Sequence, residues 1–305
     1  MSARAVVFAY HNVGVRCLAT LLAAGIEVPL VVTHADNPAE NIWFGSVAAL
    51  AAEHGIPVLM PTDAKDPALA EAVRDAQCDF LFSFYYRHML PASLLDAAPR
   101  GAFNMHGSLL PKYRGRVPVN WAVLNGERET GATLHEMAAK PDAGAIIAQT
   151  AVPILPDDTA GEVFEKVTVA AEITLWRALP ELLAGRAPRL RNDLSAGSYF
   201  GGRGPEDGRI DWSLPAQRVY DLIRAVAPPY PGAFTDVGGQ RFVIARARLA
   251  ARPPRADLRP GLQVVDNALF GLCGDARALA IHLLTLDGRP LTPAEFQLLT
   301  HTRHS

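Results

Sequence analysis

Five short apolar runs, Ala5–Tyr10, Ile26–Thr33, Ile56–Met60, Asp79–Phe84 and Ala102–His106, recur through the first third of the chain with helix-patterned stretches between them. Strands that are apolar along their whole length are buried on both faces, and parallel neighbours need a crossover segment to join them. The spacing therefore predicts an α/β domain with a Rossmann-like, doubly wound, mainly parallel sheet. The crossover helices are expected over Val13–Ala24, capped by Asn12 and stopped at Gly25, over Glu40–His54, stopped at Gly55, and over Pro67–Asp75. The dinucleotide fingerprint is missing, because His11-Asn12-Val13-Gly14-Val15 follows the first run with a single glycine. No phosphate-binding Gly-x-x-x-x-Gly-Lys-Ser/Thr stretch occurs either, so NAD and ATP are disfavoured as cofactors.

Further along, Trp121–Leu124 reads as a short helix, and Gly131–Met137 and Ala145–Ile154 read as a pair of strands. Thr159 and Glu162 have capping-box spacing and open a long helix whose face is Val163, Val167, Ala170, Thr174, Leu175 and Ala178, with Gly185 as its stop. The glycine-rich stretch from Ser195 to Gly208 predicts no regular element and a domain boundary close by. The expected division is a catalytic domain over 1–203 and a smaller domain over 204–305. In the latter a helix over Gln217–Ala227 precedes strands at Ala233–Val237, Arg241–Leu249, Gly261–Val265, Ala268–Cys273 and Ala278–Leu286. Five short strands suit a small OB-like β-barrel better than a sandwich. Thr300 to Ser305 are expected to fray.

Composition narrows the function classes. The 29 basic and 31 acidic residues leave a formal net charge of -2, which provides no global attraction for nucleic acid or an anionic membrane. Cys17, Cys78 and Cys273 are widely spaced and odd in number, as expected of reduced core thiols. The first ten residues are too polar for a signal peptide, and no apolar run reaches the ~18 residues of a membrane span. A cytoplasmic protein without membrane insertion is expected.

The stretch that carries chemistry is Phe103-Asn104-Met105-His106-Gly107-Ser108-Leu109-Leu110-Pro111-Lys112-Tyr113-Arg114-Gly115. Side chains two apart in a strand share a face, so Asn104 and His106 look into one site at a strand end. The acidic group with the best claim on that site is Asp142, in a Pro141–Gly144 loop. An amide that donates to an oxyanion, an imidazole that moves protons and a carboxylate that orients the imidazole make an acyl-transfer apparatus. Spacing alone leaves each residue a structural alternative: a buried histidine, an asparagine capping backbone groups, an aspartate in an Asx turn. No third ligand sits at metal-binding spacing, so no metal is expected. His34, His54, His135, His282 and His301 are read as structural.

The same stretch, continued through Arg116, resembles the signature of the formyltransferases that use 10-formyltetrahydrofolate. The catalytic Asn, His and Asp of that family fall on Asn104, His106 and Asp142. One branch is particularly similar, the formyltransferase part of the polymyxin-resistance enzyme that acts on UDP-4-amino-4-deoxy-L-arabinose. The resemblance runs through Val7–His11, Thr33–Pro38, Phe82–His88, Gly131–His135, Asp142–Ile146, Arg224–Val226 and Tyr230–Phe234. It implies 10-formyltetrahydrofolate as co-substrate, with folate contacts at His88, Met89, Leu90 and Arg116 and in the loop Ala138, Ala139, Lys140, Pro141. It also implies a UDP-amino sugar as acceptor, His106 as base and then acid, Asn104 as oxyanion donor, and Asp142 as the group that orients His106 and raises its pKa. A separate decarboxylating dehydrogenase is expected in the pathway, and a homo-oligomer is compatible with the resemblance.

The methionyl-tRNA branch commonly carries Asp-Thr-Gly where this chain has Asp142-Ala143-Gly144, and often Pro where it has Gly107. Both departures favour an amino-sugar acceptor, another amino-sugar nucleotide remaining open. Methionyl-tRNA is the alternative; Arg246, Arg248, Arg252, Arg255 and Arg259 would be its basic face, or else a solvated edge. A fold that binds folate or sugar nucleotide without turnover is a third reading, against which the intact Asn104, His106 and Asp142 weigh.

Overall fold

The computed structural model describes residues 2–252, 254 and 259–301. In chain order the elements are β1 (Arg4–Ala9), α1 (His11–Ala23), β2 (Glu27–Val32), α2 (Val47–Glu53), β3 (Val58–Leu59), α3 (Pro67–Asp75), β4 (Phe80–Phe84), α4 (Ala92–Leu95) and β5 (Ala102–His106). Then come β6 (Arg114–Gly115), α5 (Pro118–Leu124), β7 (Glu129–Glu136), β8 (Ile146–Pro153), α6 (Ala160–Leu183) and β9 (Tyr199–Phe200). The rest is α7 (Ala216–Val226), β10 (Ala233–Val237), β11 (Gln240–Leu249), β12 (Gly261–Val265), β13 (Ala268–Leu272), β14 (Ala278–Leu286), β15 (Arg289–Leu291) and α8 (Pro293–His301). Two compact units result, one of 1–118, 129–153 and 164–201, the other of 119–128, 154–163 and 202–305.

The first unit carries a seven-stranded sheet in the order β3-β2-β1-β4-β5-β7-β8. Pairing is parallel as far as β5 and antiparallel for β5–β7 and β7–β8. This is the expected doubly wound sheet with an antiparallel hairpin added at one edge. Alternation divides its side chains between the two faces. Phe80, Phe82, Phe84 and Phe103 stack on one face, with ring centroids 5.6–6.3 Å apart. The other face holds a cluster of Val6, Phe8, Leu30, Leu81, Leu90, Leu94 and Ala102. Asn104 and His106 share the parity of Ala102 and so emerge on that second face.

Two helix boundaries differ from expectation. Helix α1 starts at His11 with Tyr10 as an N-cap whose side chain does not bond the helix end; Asn12 instead accepts from the Gly45 N–H at 2.8 Å. The stretch 40–46 is loop, and α2 begins at Val47 with the Ser46 hydroxyl accepting from Ala49 N–H at 3.2 Å. Long-range bonds outcompete the helical pattern there. Both guanidinium nitrogens of Arg87 reach the Glu40 carboxylate at 2.9 and 2.8 Å, and Tyr10 donates to Asp36 at 2.8 Å. The capping box at the start of α6 is present, with Glu162 accepting from Thr159 N–H at 2.7 Å and Thr159 accepting from Glu162 N–H at 3.3 Å.

In the second unit the five expected strands form one antiparallel sheet, β10-β11-β14-β13-β12, the half-barrel of the small domain, with β15 paired to β14. Neither β15 nor α8 was expected, and Thr300 lies within α8; 302–305 fall outside the described residues. Helix α7 packs Val219, Tyr220 and Ile223 against Phe242, Ile244 and Leu279 of the sheet. Its Arg224 pairs with Asp221 at 2.6 Å and donates to the Asp158 carbonyl at 2.7 Å, which satisfies a buried charge. Arg248, one of the basic cluster, bonds the Tyr220 hydroxyl at 3.2 Å and lies 3.4 Å from Asp157; Arg255 is outside the described residues. All three cysteines are buried and unpaired with one another. No helix among the described residues is long and apolar enough to cross a membrane.

Candidate active site

Strand β5 delivers Asn104 and His106, and the loop after it folds back over the strand end. The buried hydroxyl of Thr133 on β7 holds that loop, accepting from Leu110 N–H at 3.1 Å and donating to the Ser108 carbonyl at 2.6 Å. Gln149 on β8 donates to the Leu110 carbonyl at 2.9 Å. Tyr113 takes a left-handed φ of 56°, and its carbonyl turns inward to accept from His106 Nε2 at 2.8 Å. With Nε2 carrying that hydrogen, Nδ1 is the ring nitrogen left to take a proton. It faces the Asp142 Oδ1 at 3.6 Å, too long for a direct hydrogen bond but a close charge contact.

Asp142 reaches this position from the turn after β7, at a left-handed φ of 51°. Its Oδ2 accepts from Gly115 N–H at 2.8 Å, and Asn192 donates to its backbone carbonyl at 2.9 Å. Burial alone would push its carboxyl up, but His106, His135 and the Gly115 N–H outweigh it and hold the carboxyl well below the usual range. His106 moves the other way from expectation. Burial lowers its pKa from the ordinary value, and the raising effects of Asp142 and the Tyr113 carbonyl do not compensate. The site at neutral pH is therefore a neutral imidazole beside a carboxylate, the state a general base requires.

The expected Asn104, His106 and Asp142 come together, and His135, read as structural from the sequence, joins them. Residue 135 pairs with 104 across the β5–β7 ladder. Its Nδ1–H donates to the Glu136 carbonyl at 2.7 Å, so Nε2 accepts from the Asn104 amide at 3.1 Å and also lies 3.6 Å from Asp142. One amide hydrogen of Asn104 is thereby fixed and the other left for a ligand. An isolated histidine in an alternating strand carries no signal of this; knowledge of the strand pairing would have supplied it. The Tyr113 carbonyl and Gly115 N–H are backbone groups and leave no trace in side-chain identity.

Of the residues expected to touch folate, His88 is exposed and sits edge-on to His34 at 4.8 Å, and Met89 is 56% exposed. Leu90 is buried in the apolar cluster against which Met137 also packs, so 88–90 and the start of the 138–142 loop are anchored on one sheet face. Ala138, Ala139 and Lys140 are exposed and Pro141 is half-buried. Arg116 is exposed, and its N–H donates to the Phe200 carbonyl at 3.0 Å. That bond belongs to the β6–β9 pairing, a strand within the stretch expected to lack one. A separate depression of about 570 Å³, lined by Arg16, Thr20, Glu172 and Trp176 among others, shares no residue with this cluster.

The family model described as formyl transferase matches residues 6–179, and that of the formyl transferase C-terminal domain matches 204–298. The chain belongs to the formyl transferase family. Solved structures with the same fold include an N-formyltransferase from Helicobacter canadensis, described in complex with folinic acid and dTDP-3-aminofucose. It is 20% identical with a TM-score of 0.73, over 92% of this chain and 99% of that one. The sugar 3N-formyl transferase WlaRD, with dTDP and 5-N-formyl-THF, is 18% identical with a TM-score of 0.72, over 95% and 99%. A 4-N formyltransferase from Francisella tularensis is 20% identical with a TM-score of 0.65, over 80% and 97%. In this formyl transferase the polar groups of β5 and β7 meet on the second face of the first sheet, and that cluster is the candidate site.

Proposed function

We propose that this formyl transferase moves the formyl group of 10-formyltetrahydrofolate to the 4-amine of UDP-4-amino-4-deoxy-L-arabinose, giving the 4-formamido sugar used in lipid A modification and polymyxin resistance. The carrying observation is the neutral, buried His106 whose Nδ1 faces the ionised Asp142 at 3.6 Å. The residues fit a folate: an exposed Met89 beside an anchored Leu90 offers a flat apolar edge, and an exposed loop adjoins Asp142. The folate supplies the formyl carbon.

His106 accepts the amine proton at Nδ1, and Asp142 stabilises the imidazolium that results. The same Nδ1–H then serves the departing nitrogen. Asn104, its amide held by His135, donates its second hydrogen to the negative charge that develops on the formyl oxygen. The sugar acceptor is favoured by the resemblance at 33–38, 82–88 and 142–146, by the dTDP-3-aminofucose of one structure of the same fold and by the dTDP of a second, a sugar 3N-formyl transferase. Such soluble substrates suit a cytoplasmic enzyme. The test is a formyl-transfer assay offering UDP-4-amino-4-deoxy-L-arabinose, a dTDP-amino sugar and methionyl-tRNA in parallel while following tetrahydrofolate release. Turnover with the first alone is expected; turnover with the tRNA alone would overturn the reading.

A further inference from the structure

The turn that bears Asp142 is pinned by a segment fifty residues downstream. After α6 the chain returns beside the start of β8, where Leu190 and Ile146 exchange both backbone hydrogen bonds at 2.9 Å. Two residues on, Asn192 Nδ2 donates to the carbonyls of Asp142 at 2.9 Å and Gly144 at 3.1 Å. A flipped amide would set its oxygen against those two carbonyls, so the orientation follows from the partners. The Asn192 Oδ1 is buried and meets no hydrogen-bond partner among the described residues. An acceptor buried in this way is unfavourable, so the two N–H donors are the useful half of this side chain.

The turn has few other supports. Asp142 adopts a left-handed φ of 51° without being glycine. Gly144 lies so close to β7 that a Cβ would be 1.9 Å from the Glu136 carbonyl. Gly115 N–H holds the carboxylate from the front, and Asn192 holds the backbone from behind.

We infer that Asn192 is a positioning residue, whose amide locks the Asp142–Gly144 turn and so aims the Asp142 carboxylate at His106. The catalytic part of this rests on the formyl-transfer reading; the positioning part does not. The groups facing His106 are Asp142, His135 and the Tyr113 carbonyl, and Asp142 alone of these carries a charge that favours a proton on the ring.

The test compares wild type, Asn192→Ala, Asn192→Ser and, as a control for lost stability, Thr159→Ala. His106 is titrated by NMR in substrate-free protein with ¹³C-labelled histidine, and steady-state kinetics are measured with 10-formyltetrahydrofolate and the amino sugar. Asn192→Ala is expected to lower the His106 pKa and reduce kcat about 10–100-fold, with the KM for the acceptor changed less than about twofold. Asn192→Ser, which retains one donor, falls between, and Thr159→Ala leaves the His106 titration unchanged. A folded Asn192→Ala protein with the wild-type His106 titration overturns the proposal, as does one with wild-type kcat. If wild type transfers formyl to none of the amines, the NMR titration still decides the positioning role.

Discussion

Gly107→Ala is expected to disturb both stability and turnover, because Tyr85 and Gly107 share one space. A Cβ built at 107 lies 1.8 Å from the Tyr85 hydroxyl oxygen, 3.0 Å from its Cζ and 3.5 Å from Pro118 Cγ. Non-bonded heavy atoms rest at roughly 3.5 Å or more, so the phenol has to retreat by well over 1 Å. Its surroundings oppose that: Tyr85 has a left-handed φ of 57° and its ring meets Phe164 edge-on at 5.5 Å. Overpacking of this kind costs about 1–3 kcal/mol. For a unit of this size that is a fall in Tm of about 2–4 °C per kcal/mol. Because residue 107 follows His106 directly, a displacement near 1 Å lowers turnover by up to about 10²-fold. Thermal unfolding and turnover are compared for wild type, Gly107→Ala, Tyr85→Phe and the double variant. Removing the hydroxyl removes the closest contact, so Tyr85→Phe restores part of the loss, with a coupling of about 0.5–3 kcal/mol. A Gly107→Ala protein within about 0.5 kcal/mol of wild type, or strictly additive variants, would refute the reasoning. Proline at 107 brings the same Cβ, which explains why Pro there and this placement of Tyr85 exclude each other.

Asp142→Asn keeps the shape of the turn but removes a charge 3.6 Å from Nδ1; at an effective dielectric near 20 that charge supports the imidazolium by about 4 kcal/mol, so kcat falls roughly 10²–10³-fold. The acid limb of its pH–kcat/KM profile moves to lower pH, since losing the carboxylate lowers the His106 pKa further; a limb moving upward would contradict the assignment. Asn104→Ala removes the proposed oxyanion donor and is expected to cost about 10²–10³ in kcat, while His135→Ala, which frees that amide and removes a neighbour of Asp142, costs less; equal losses would show His135 acting directly. Burial lowers His11 to a pKa of about 3 and His34 to about 4, so the unfolded chain binds more protons than the folded one as pH drops below about 6.5. Urea unfolding should therefore give stability that is flat above that pH and declines below it, by at most about 1.4 kcal/mol per pH unit for His11 and less for half-buried His34; a His11→Gln protein with an unaltered slope would count against this.

How much of this was legible depended on how local the cause was. Strand β5 announced itself as a short apolar run, and Asn104 and His106 by their shared parity. Thr159 and Glu162 declared the start of α6 within four residues. The stretch 40–46 read as helix because Glu40, Ile42 and Phe44 sit in a helical context, yet Glu40 is paired to Arg87, Phe44 packs on Tyr10 and the Gly45 N–H is taken by Asn12, all from outside the stretch. His135 and Asn192 were illegible for the same reason. Each acts through a partner that only tertiary pairing brings near, the former across a ladder and the latter across some fifty residues. The pKa of His106 required knowledge of burial, which reverses the expectation drawn from its carboxylate neighbour.

The antiparallel edge at β5–β7 bears on how such a chain can vary in length. Thr133 stands opposite His106 and His135 opposite Asn104, so both polar partners lie on one side of the ladder. Gaining or losing a single residue within β7 would turn that row over and present the opposite parity to β5. The turn between β7 and β8 is under no such parity, and on that side of β7 the ladder to β8 already shifts register between Leu134 and His135 while the pairing with β5 stays regular. Insertions and deletions among natural relatives should therefore collect at 138–141 and spare 129–136, leaving the exposed turn adjustable while Asn104, His106 and their partners on β7 stay in phase.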